Sequence, residues 1–225
     1  MTKKYTIRHL QRVLEADVIE AAIGLLGFSV QHQGREAMII ETEAYRAEDD
    51  PSCHGYGGKT DRNAPMFGPP GHAYIYRSYG IHWLLNVSAH PEGRCAGVLL
   101  RAAVPVNFAA GDRRLLSGPA KLTRALDISG KLTGMPLFTG GDLQIVECSS
   151  KMLRQKARKS QVLCSERIGM SHEYGKTLPW RFALEDCLAQ VSARTSHLRP
   201  IEAQLHPSGG RPQDPTRETS EGSGA

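Results

Sequence analysis

Apolar residues recur at helical spacing near the start of the chain. In residues 17–26, DVIEAAIGLL, one helical face carries Val18, Ala21, Ala22 and Leu25. Asp17 is typical of the position before a helix, because its short side chain caps free backbone amides, and Gly27 is typical of the position after one. The pattern therefore predicts a helix that packs by its apolar face.

A strand is predicted over residues 36–45, EAMIIETEAY, after a turn at Gly34. The segment begins apolar and ends polar, which places its end at the edge of a core. Side chains alternate between the two faces of a strand. The polar face is expected to carry Glu41, Glu43 and Tyr45, and the other face Thr42 and Ala44.

Two further strand patterns, residues 72–77 and 81–88, flank Ser78, Tyr79 and Gly80. Gly80 suits the tight connection of a β-hairpin. Tyr79 is then expected at the hairpin tip, where a large aromatic side chain has little core to pack against.

The remaining patterns complete an α+β fold without a nucleotide-binding fingerprint. Residues 96–106 indicate an apolar strand, residues 117–130 a short helix, and residues 165–175 a short helix or turn. We expect one domain over residues 1–200. Residues 201–225 are rich in Gly, Pro, Ser and Thr and are expected to form a disordered tail.

Composition and the chain start favour an intracellular soluble protein. The sequence lacks the apolar run of about 18 residues that a membrane span needs, and its start lacks the apolar centre of a secretory signal. The 5 cysteines are scattered, without the spacing of a zinc site or a disulfide framework. We expect a cytoplasmic monomer without a membrane partner, nucleoid-associated in a bacterium or nuclear in a eukaryote.

Positive charge is concentrated in the middle of the chain. Residues 1–50 carry 6 Lys/Arg and 9 Asp/Glu, residues 201–225 carry 2 and 4, and residues 51–200 carry 20 and 10, a net charge of +10. A basic body of this kind favours a polyanionic partner, with nucleic acid first. A merely solvated basic surface explains the charge equally well.

Glu43 is the carboxylate best placed for chemistry. It ends a strand that begins apolar, and partial desolvation makes a carboxylate a better base. Glu41 on the same face would add repulsion between like charges. The alternative is that both glutamates are solvated, which is the commoner case for such a pair.

Aromatic residues gather near this carboxylate in the sequence. His54 and the tyrosines Tyr45, Tyr74, Tyr76 and Tyr79 all lie in this part of the sequence, as does Tyr56. Flat rings beside a carboxylate suit a pocket that stacks a nucleobase, although Tyr74 could equally be a sheet-packing residue. His54 could pair with Cys53 or His72 on a metal, but a second ligand pair is missing from the sequence. We therefore expect neither a metal nor a cofactor.

Two polar residues interrupt apolar strands and need partners. Arg101 lies within AGVLLRAAVPV, and a buried arginine requires a countercharge, for which Glu43 is the obvious candidate. Such a pair could hold both the carboxylate and a water molecule in place. Asn86, within LLNVS, is either a satisfied structural amide or a reader of a ligand edge.

Five segments follow one another along the chain: ETEAY, SCHGYGGKTDRNAPMFGPPGHAYIYRSYGIHWLLNVS, GVLLRAAVPV, SGPAKLTRAL and SERIGMSHEYGKTLPWRF. Together they closely resemble the alkyladenine DNA glycosylase family, also called 3-methyladenine or methylpurine DNA glycosylases. The resemblance runs from about Val18 to Arg194. It implies a single domain with a curved, mainly antiparallel β-sheet core, flanking helices and a protruding β-hairpin.

The resemblance also implies an activity. The family's enzymes are monofunctional: they flip a damaged purine out of double-stranded DNA and hydrolyse its N-glycosidic bond, which starts base excision repair. Glu43 would be the base that activates water for attack on the anomeric carbon. Arg101 would help to hold that water and the flipped nucleotide, whereas Glu41 is left without a role.

The same resemblance assigns the pocket. Tyr45, His54 and Tyr76 would form the walls that stack the base. Tyr79 would be the wedge that fills the vacated space in the duplex, which offsets part of the few kcal/mol that extraction of a base costs. Asn86 would crowd the 2-amino group of guanine and so help to reject normal guanine.

The chain departs from that family at two places. Residues 107–116 are shorter than the helical insertion expected in relatives, and Cys53 stands where a small residue is commoner. Glu48, Asp49 and Asp50 are expected to be solvated turn residues. Two other functions stay open: a non-catalytic module that binds damaged DNA with the same pocket, and a hydrolase of small nucleosides.

Overall fold

Strands form most of the regular structure. The computed structural model describes residues 6–109, 112, 114–170, 175, 177–192 and 195–201. The strands are Phe28–His32 (β1), Arg35–Arg46 (β2), Ala73–Ser78 (β3), His82–Ala89 (β4), Ala96–Pro105 (β5), Leu143–Glu147 (β6), Val162–Ser165 (β7), Arg181–Leu184 (β8) and Arg199–Pro200 (β9). The α-helices are Ile7–Ala16 (α1), Val18–Leu25 (α2), Pro119–Ala125 (α3) and Lys151–Lys159 (α4), and short 3-10 helices span Ala64–Phe67, Gly130–Leu132 and Glu185–Gln190.

These strands join into one antiparallel sheet centred on β2. The order is β3-β4-β5-β2-β8-β7-β9, and β1 pairs with both β2 and β6. The start of β2 pairs with β1, its second half with β8, and nearly its whole length with β5. The predicted α+β class with a single domain and a mainly antiparallel sheet is confirmed.

Local sequence explains the elements at the centre of the sheet. The β1–β2 hairpin closes through Gln33 and Gly34, whose φ angles of 49° and 74° are those of a two-residue mirror-image turn. Asp17 caps α2 by accepting from the amides of Ile19 at 2.7 Å and Glu20 at 3.0 Å. The predicted helix is thus confirmed.

The helices α1 and α2 cover one face of the sheet. Leu10 and Leu14 of α1 and Val18 and Leu25 of α2 are completely buried in the main apolar core. Burying each such side chain contributes about 1.5–3 kcal/mol relative to its exposure. The polar side chains of β2 are left for the opposite face.

Two predictions for the second half of the chain meet different outcomes. Of the alternatives for residues 165–175, helix or turn, the described part shows a bend at Ile168 and Gly169 after β7 ends at Ser165, and a helical conformation at Gly175. The tail, 202–225, lies outside the described residues, and the domain boundary near residue 200 stays a prediction.

The strands β3 and β4 form the predicted hairpin, with Ser78 opposite His82 at its end. Its protrusion from the surface stays a prediction. No helix in the described ranges has the length and apolar character needed to cross a membrane.

Candidate active site

Strand β2 carries both glutamates to the face of the sheet opposite α2. Thr42, which lies between them, donates its hydroxyl to the carbonyl of Ala22 in α2 at 2.9 Å. Glu41 and Glu43 are fully buried on the other face. The alternation predicted for this strand is therefore confirmed, and the alternative of two solvated glutamates is wrong.

Arg101 reaches the same place from the neighbouring strand β5, where the strand register shifts next to Glu41. Its Nη1 donates to Oε2 of Glu43 at 2.9 Å and its Nε to Oε1 of Glu41 at 3.2 Å. Burial works to lower the pKa of Arg101, but the two carboxylates outweigh burial and raise the pKa above its ordinary value. The expected contact between Arg101 and Glu43 is present.

Three donors hold the carboxylate of Glu43. Oε2 accepts from Arg101 and from the Tyr45 hydroxyl at 2.7 Å, and Oε1 accepts from the backbone amide of Ile168 at 2.8 Å. A carboxylate offers about four acceptor positions. Among the described residues one position, on Oε1, is therefore left for a water molecule.

Tyr45 is half-buried beside this carboxylate. Its pKa is raised well above the ordinary value, first by burial and then by the charge of Glu43, so its hydroxyl remains a hydrogen-bond donor. The Arg167 guanidinium carbon lies 4.5 Å from the centre of its ring. Arg167 donates through Nη2 to Oδ1 of Asp50 at 2.8 Å, so a neutral ion pair lies close to Tyr45.

The prediction that Asp50 is a solvated turn residue is wrong. Its carboxylate is fully buried, because Arg167 supplies a countercharge from a distant segment of the chain. Its neighbours do lie at the surface, where Glu48 pairs with Arg94 and Asp49 with Arg46.

Three aromatic rings pack together beside Tyr45. The ring of His54 meets that of Tyr76 edge-on at 4.5 Å and 75°, and Tyr74 stacks on Tyr76 at 5.5 Å and 23°. The Tyr74 hydroxyl lies 2.9 Å from Nδ1 of His54. Because Tyr74 is buried and its pKa is raised by burial to about 12, it packs in the sheet and also orients His54.

A cavity of about 400 Å³ opens between these rings, within the range of small-molecule sites. Its walls include Tyr45, His54, Tyr74, Tyr76, Asn86 and Met170. Asn86 is a satisfied structural amide, because its Nδ2 donates to the Tyr74 carbonyl at 3.1 Å. It also lines the cavity, and its reading of a ligand edge stays a prediction. Glu43 lies behind the wall that Tyr45 forms.

Tyr79 lies outside the cavity, at the hairpin tip, and is 91% exposed. Its φ of 50° is left-handed, a conformation that costs about 1–3 kcal/mol for a non-glycine residue. A large aromatic side chain that is both exposed and strained does not stabilise the core, which favours a role in contact with another molecule.

Four residues at the site were not singled out from the sequence: Arg167, Ile168, Arg181 and Ser192. Arg181 lies in the short run WRFAL and carries the same signal as Arg101, a charge within apolar neighbours. Ile168 contributes only its backbone amide to Glu43, which no side-chain pattern can reveal.

All five cysteines are buried. Cys53 lies in the cavity wall against Cys95, whose contact, followed by burial, raises the pKa of the Cys53 thiol. No cluster of three or more His, Cys, Asp or Glu side chains suited to a metal ion occurs in the described part of the chain.

Comparison with known proteins identifies the class. A model of the methylpurine-DNA glycosylase family matches residues 12–188. A Rhodopseudomonas palustris protein named "Putative 3-methyladenine DNA glycosylase" is 39% identical over 178 residues, which cover 75% of this chain and 81% of that protein. Proteins with the same name are 43% identical over 157 residues in Carboxydothermus hydrogenoformans (66% and 78%) and 40% identical over 178 residues in Nitrosospira multiformis (75% and 86%).

The protein is accordingly an enzyme of the DNA glycosylase class, the hydrolases that act on N-glycosyl bonds of DNA. Within that class the chain belongs to the methylpurine-DNA glycosylase family. The family resemblance stated from the five sequence segments is confirmed.

Proposed function

We propose that this protein is a monofunctional glycosylase that flips alkylated or deaminated purines, first of the 3-methyladenine type, out of duplex DNA and hydrolyses their N-glycosidic bond to start base excision repair. The observation that carries the proposal is the Glu43 carboxylate, which is buried behind an aromatic cavity yet keeps one acceptor position on Oε1. The names of the bacterial relatives support the lesion type.

In the proposed reaction Glu43 takes a proton from water as the water oxygen attacks the anomeric carbon of the flipped nucleotide. The new C–O bond forms while the N-glycosidic bond breaks, and the electron pair of the N-glycosidic bond moves onto the purine. Arg101 supplies a countercharge to the carboxylate and orients it through the contact with Oε2. General base catalysis of this kind contributes about 10²–10⁴-fold.

The cavity walls suit a cationic purine. Tyr45, His54 and Tyr76 offer aromatic rings, and the electron-rich faces of tyrosine attract a positively charged base. His54 is uncharged at neutral pH, because burial and then Arg62 lower its pKa below the ordinary value. It therefore does not repel the lesion.

Lesion charge is expected to set the order of excision. Cationic 3-methyladenine leaves as a neutral molecule, whereas hypoxanthine needs a proton. Of the described residues that line the cavity only His54 ordinarily titrates near neutrality, and its lowered pKa makes it a scarce proton source. Single-turnover rates on a lesion panel should be at least about 10²-fold higher for 3-methyladenine than for hypoxanthine. Equal rates for the two lesions would contradict this order.

Two further roles follow from position. Asn86 lies in the cavity wall with its Nδ2 fixed on a backbone carbonyl, which supports its use in crowding the 2-amino group of guanine. Tyr79 at the hairpin tip is proposed to enter the duplex where the flipped base was.

Water, not an amine of the protein, is the proposed nucleophile. Lys59 and Lys121 are exposed and neither lines the cavity. Action as a monomer is part of the proposal. The bacterial origin of the relatives supports the nucleoid as the place of action.

Incubation with methylated duplex DNA tests the proposed function. The protein should release free 3-methyladenine and leave abasic sites that alkali cleaves. A non-catalytic binding module would retain lesion duplex and release no base, and a nucleoside hydrolase would cleave free methylated nucleosides faster than duplex. Either of these results would overturn the proposal.

A further inference from the structure

Glu41 lies two residues before Glu43 and accepts four hydrogen bonds. Its Oε1 accepts from Nε of Arg181 at 2.7 Å, from Oγ of Ser192 at 2.8 Å and from Nε of Arg101 at 3.2 Å. Its Oε2 accepts from the Ser192 amide at 2.6 Å. A carboxylate with this many donors is poorly placed to bind a water or a substrate, so its effect is on the side chains that donate to it.

The described charged groups around Glu41 are two glutamates, itself included, and two arginines. Arg101 touches both carboxylates, and Arg181 touches Glu41 alone of the two. Glu41 and Glu43 are 0% exposed, Arg181 1% and Arg101 6%. These four described groups share one interior site, where loss of one partner from a buried ion pair costs about 3–5 kcal/mol.

Glu41 also fixes the direction of the Arg101 side chain. The guanidinium group is planar, so anchoring two of its nitrogens sets where the third points. Nε is held by Glu41, and both Nε and Nη2 donate to Oγ of Ser192 at 3.2 and 3.1 Å. Nη1 is then aimed at Oε2 of Glu43.

We propose that Glu41 is a positioning residue for the glycosylase reaction: through Arg101 it orients the Glu43 carboxylate, and it supplies a countercharge for Arg181 beside that carboxylate. The proposal rests on the proposed function. The family resemblance assigns no role to Glu41.

The electrostatic part of the role has a clear sign. Glu43 is surrounded by Arg101 from β5, by Glu41 and Tyr45 from its own strand, and by the amide of Ile168 after β7. The further groups near this site are Tyr76 of β3, Arg167 beside Tyr45, and Arg181 of β8. Removal of the negative charge of Glu41 leaves the described positive groups in excess, so the acid limb of the rate profile is expected to move to lower pH.

The variant Glu41→Gln tests both parts. Single-turnover release of 3-methyladenine from duplex is measured from pH 4.5 to 8, together with the affinity for lesion duplex. The rate should fall at least tenfold at neutral pH with affinity little changed, and the acid limb of the profile should move down by about one pH unit. A wild-type rate with an unmoved acid limb would overturn the proposal.

A charge-conserving variant separates orientation from charge. Ser192→Ala removes the hydroxyl that Arg101 and Glu41 share but leaves every charge in place, and so small a change is expected to preserve the fold. Its rate should fall about threefold to tenfold with the acid limb unmoved. A full wild-type rate would rule out orientation through Ser192 and count against the proposal.

A structural readout distinguishes failure of this inference from failure of the proposed function. If the wild-type protein released no base, the proposed function would fail on its own account. The anchoring of Arg101 would then be judged by NMR from its Nε–H signal, which should exchange slowly with solvent in the wild type and rapidly in Glu41→Gln. Equal protection in the two proteins would overturn the positioning role.

Discussion

Glu43 differs from the other buried glutamates in where its carboxylate lies. Glu36 accepts from Ser149, which donates its amide to one oxygen and its hydroxyl to the other. Glu41 accepts from two arginines and a serine. Glu43 alone of these three combines burial, a fixed orientation and a place beside the aromatic cavity, which is the requirement for a general base.

His54 provides a pH prediction at the residue scale. Burial, and after it Arg62, lowers its pKa, so an NMR titration should give a midpoint below the ordinary value of about 6.5. As pH falls through this lowered pKa, His54 gains a positive charge and should weaken binding of a cationic lesion. In Arg62→Gln the midpoint should move up; a wild-type midpoint at or above 6.5 would contradict a pKa lowered by burial and Arg62.

Single residues were predictable where a charge interrupts an apolar run. Arg101 and Glu43 carry that signal in long strands, so their contact could be expected before the structure was known. Arg181 carries it too, but its strand has 4 residues and too little pattern to stand out. Asp50 was misjudged because its partner, Arg167, is distant in sequence, and burial of a charge depends on such a partner.

At the scale of elements, length decided what the sequence could predict. The long strands β2 and β5 and the hairpin show clear alternation or apolar runs. The strands β6, β7 and β8 have 4 or 5 residues, too few for a period to emerge, and their place is set by pairing with distant segments. The helix α1 was missed because only a narrow apolar stripe, with Leu10 and Leu14 buried, marks it.

The hairpin yields a prediction that separates stability from activity. Tyr79→Gly relieves the left-handed strain at φ 50° and removes a 91% exposed ring, so the melting temperature should not fall. Excision from duplex should fall at least about tenfold, because the vacated stack is no longer filled. Thermal unfolding and single-turnover rates measure the two effects.

Two controls isolate the wedge. Ile81→Ala changes another exposed tip residue, 71% exposed, and should reduce duplex excision far less. Methylated single-stranded DNA has no duplex stack to fill, so Tyr79→Gly should process it at nearly the wild-type rate. Unchanged duplex rates in Tyr79→Gly would remove Tyr79 from the wedge role.

At the scale of the whole molecule, the charge of +10 over residues 51–200 meets the requirement for a DNA partner. Exposed Lys121 lies with Ile81 and Trp83 along a groove of about 550 Å³ beside the hairpin. Exposed Lys159 belongs to α4. This helix packs through Ala157 near the end of α2, and α2 lies on the face of the sheet opposite Glu43.

Salt titration of lesion-duplex binding can therefore map the contact surface. Affinity should fall steeply with salt, and Lys121→Ala should reduce the slope of log affinity against log salt by about 1, as expected for one lost phosphate contact. Lys159→Ala is the matched control and should leave the slope unchanged. The opposite pattern would place the DNA on the α4 side.

The central claim, that Glu43 activates water, is tested most directly by single-turnover release of 3-methyladenine from duplex by Glu43→Gln. Glu36→Gln makes the same change at a glutamate buried away from the cavity and serves as the control for folding. We predict a loss of about 10²–10⁴-fold for Glu43→Gln and a near wild-type rate for Glu36→Gln. Release at the wild-type rate by a folded Glu43→Gln protein would contradict the claim.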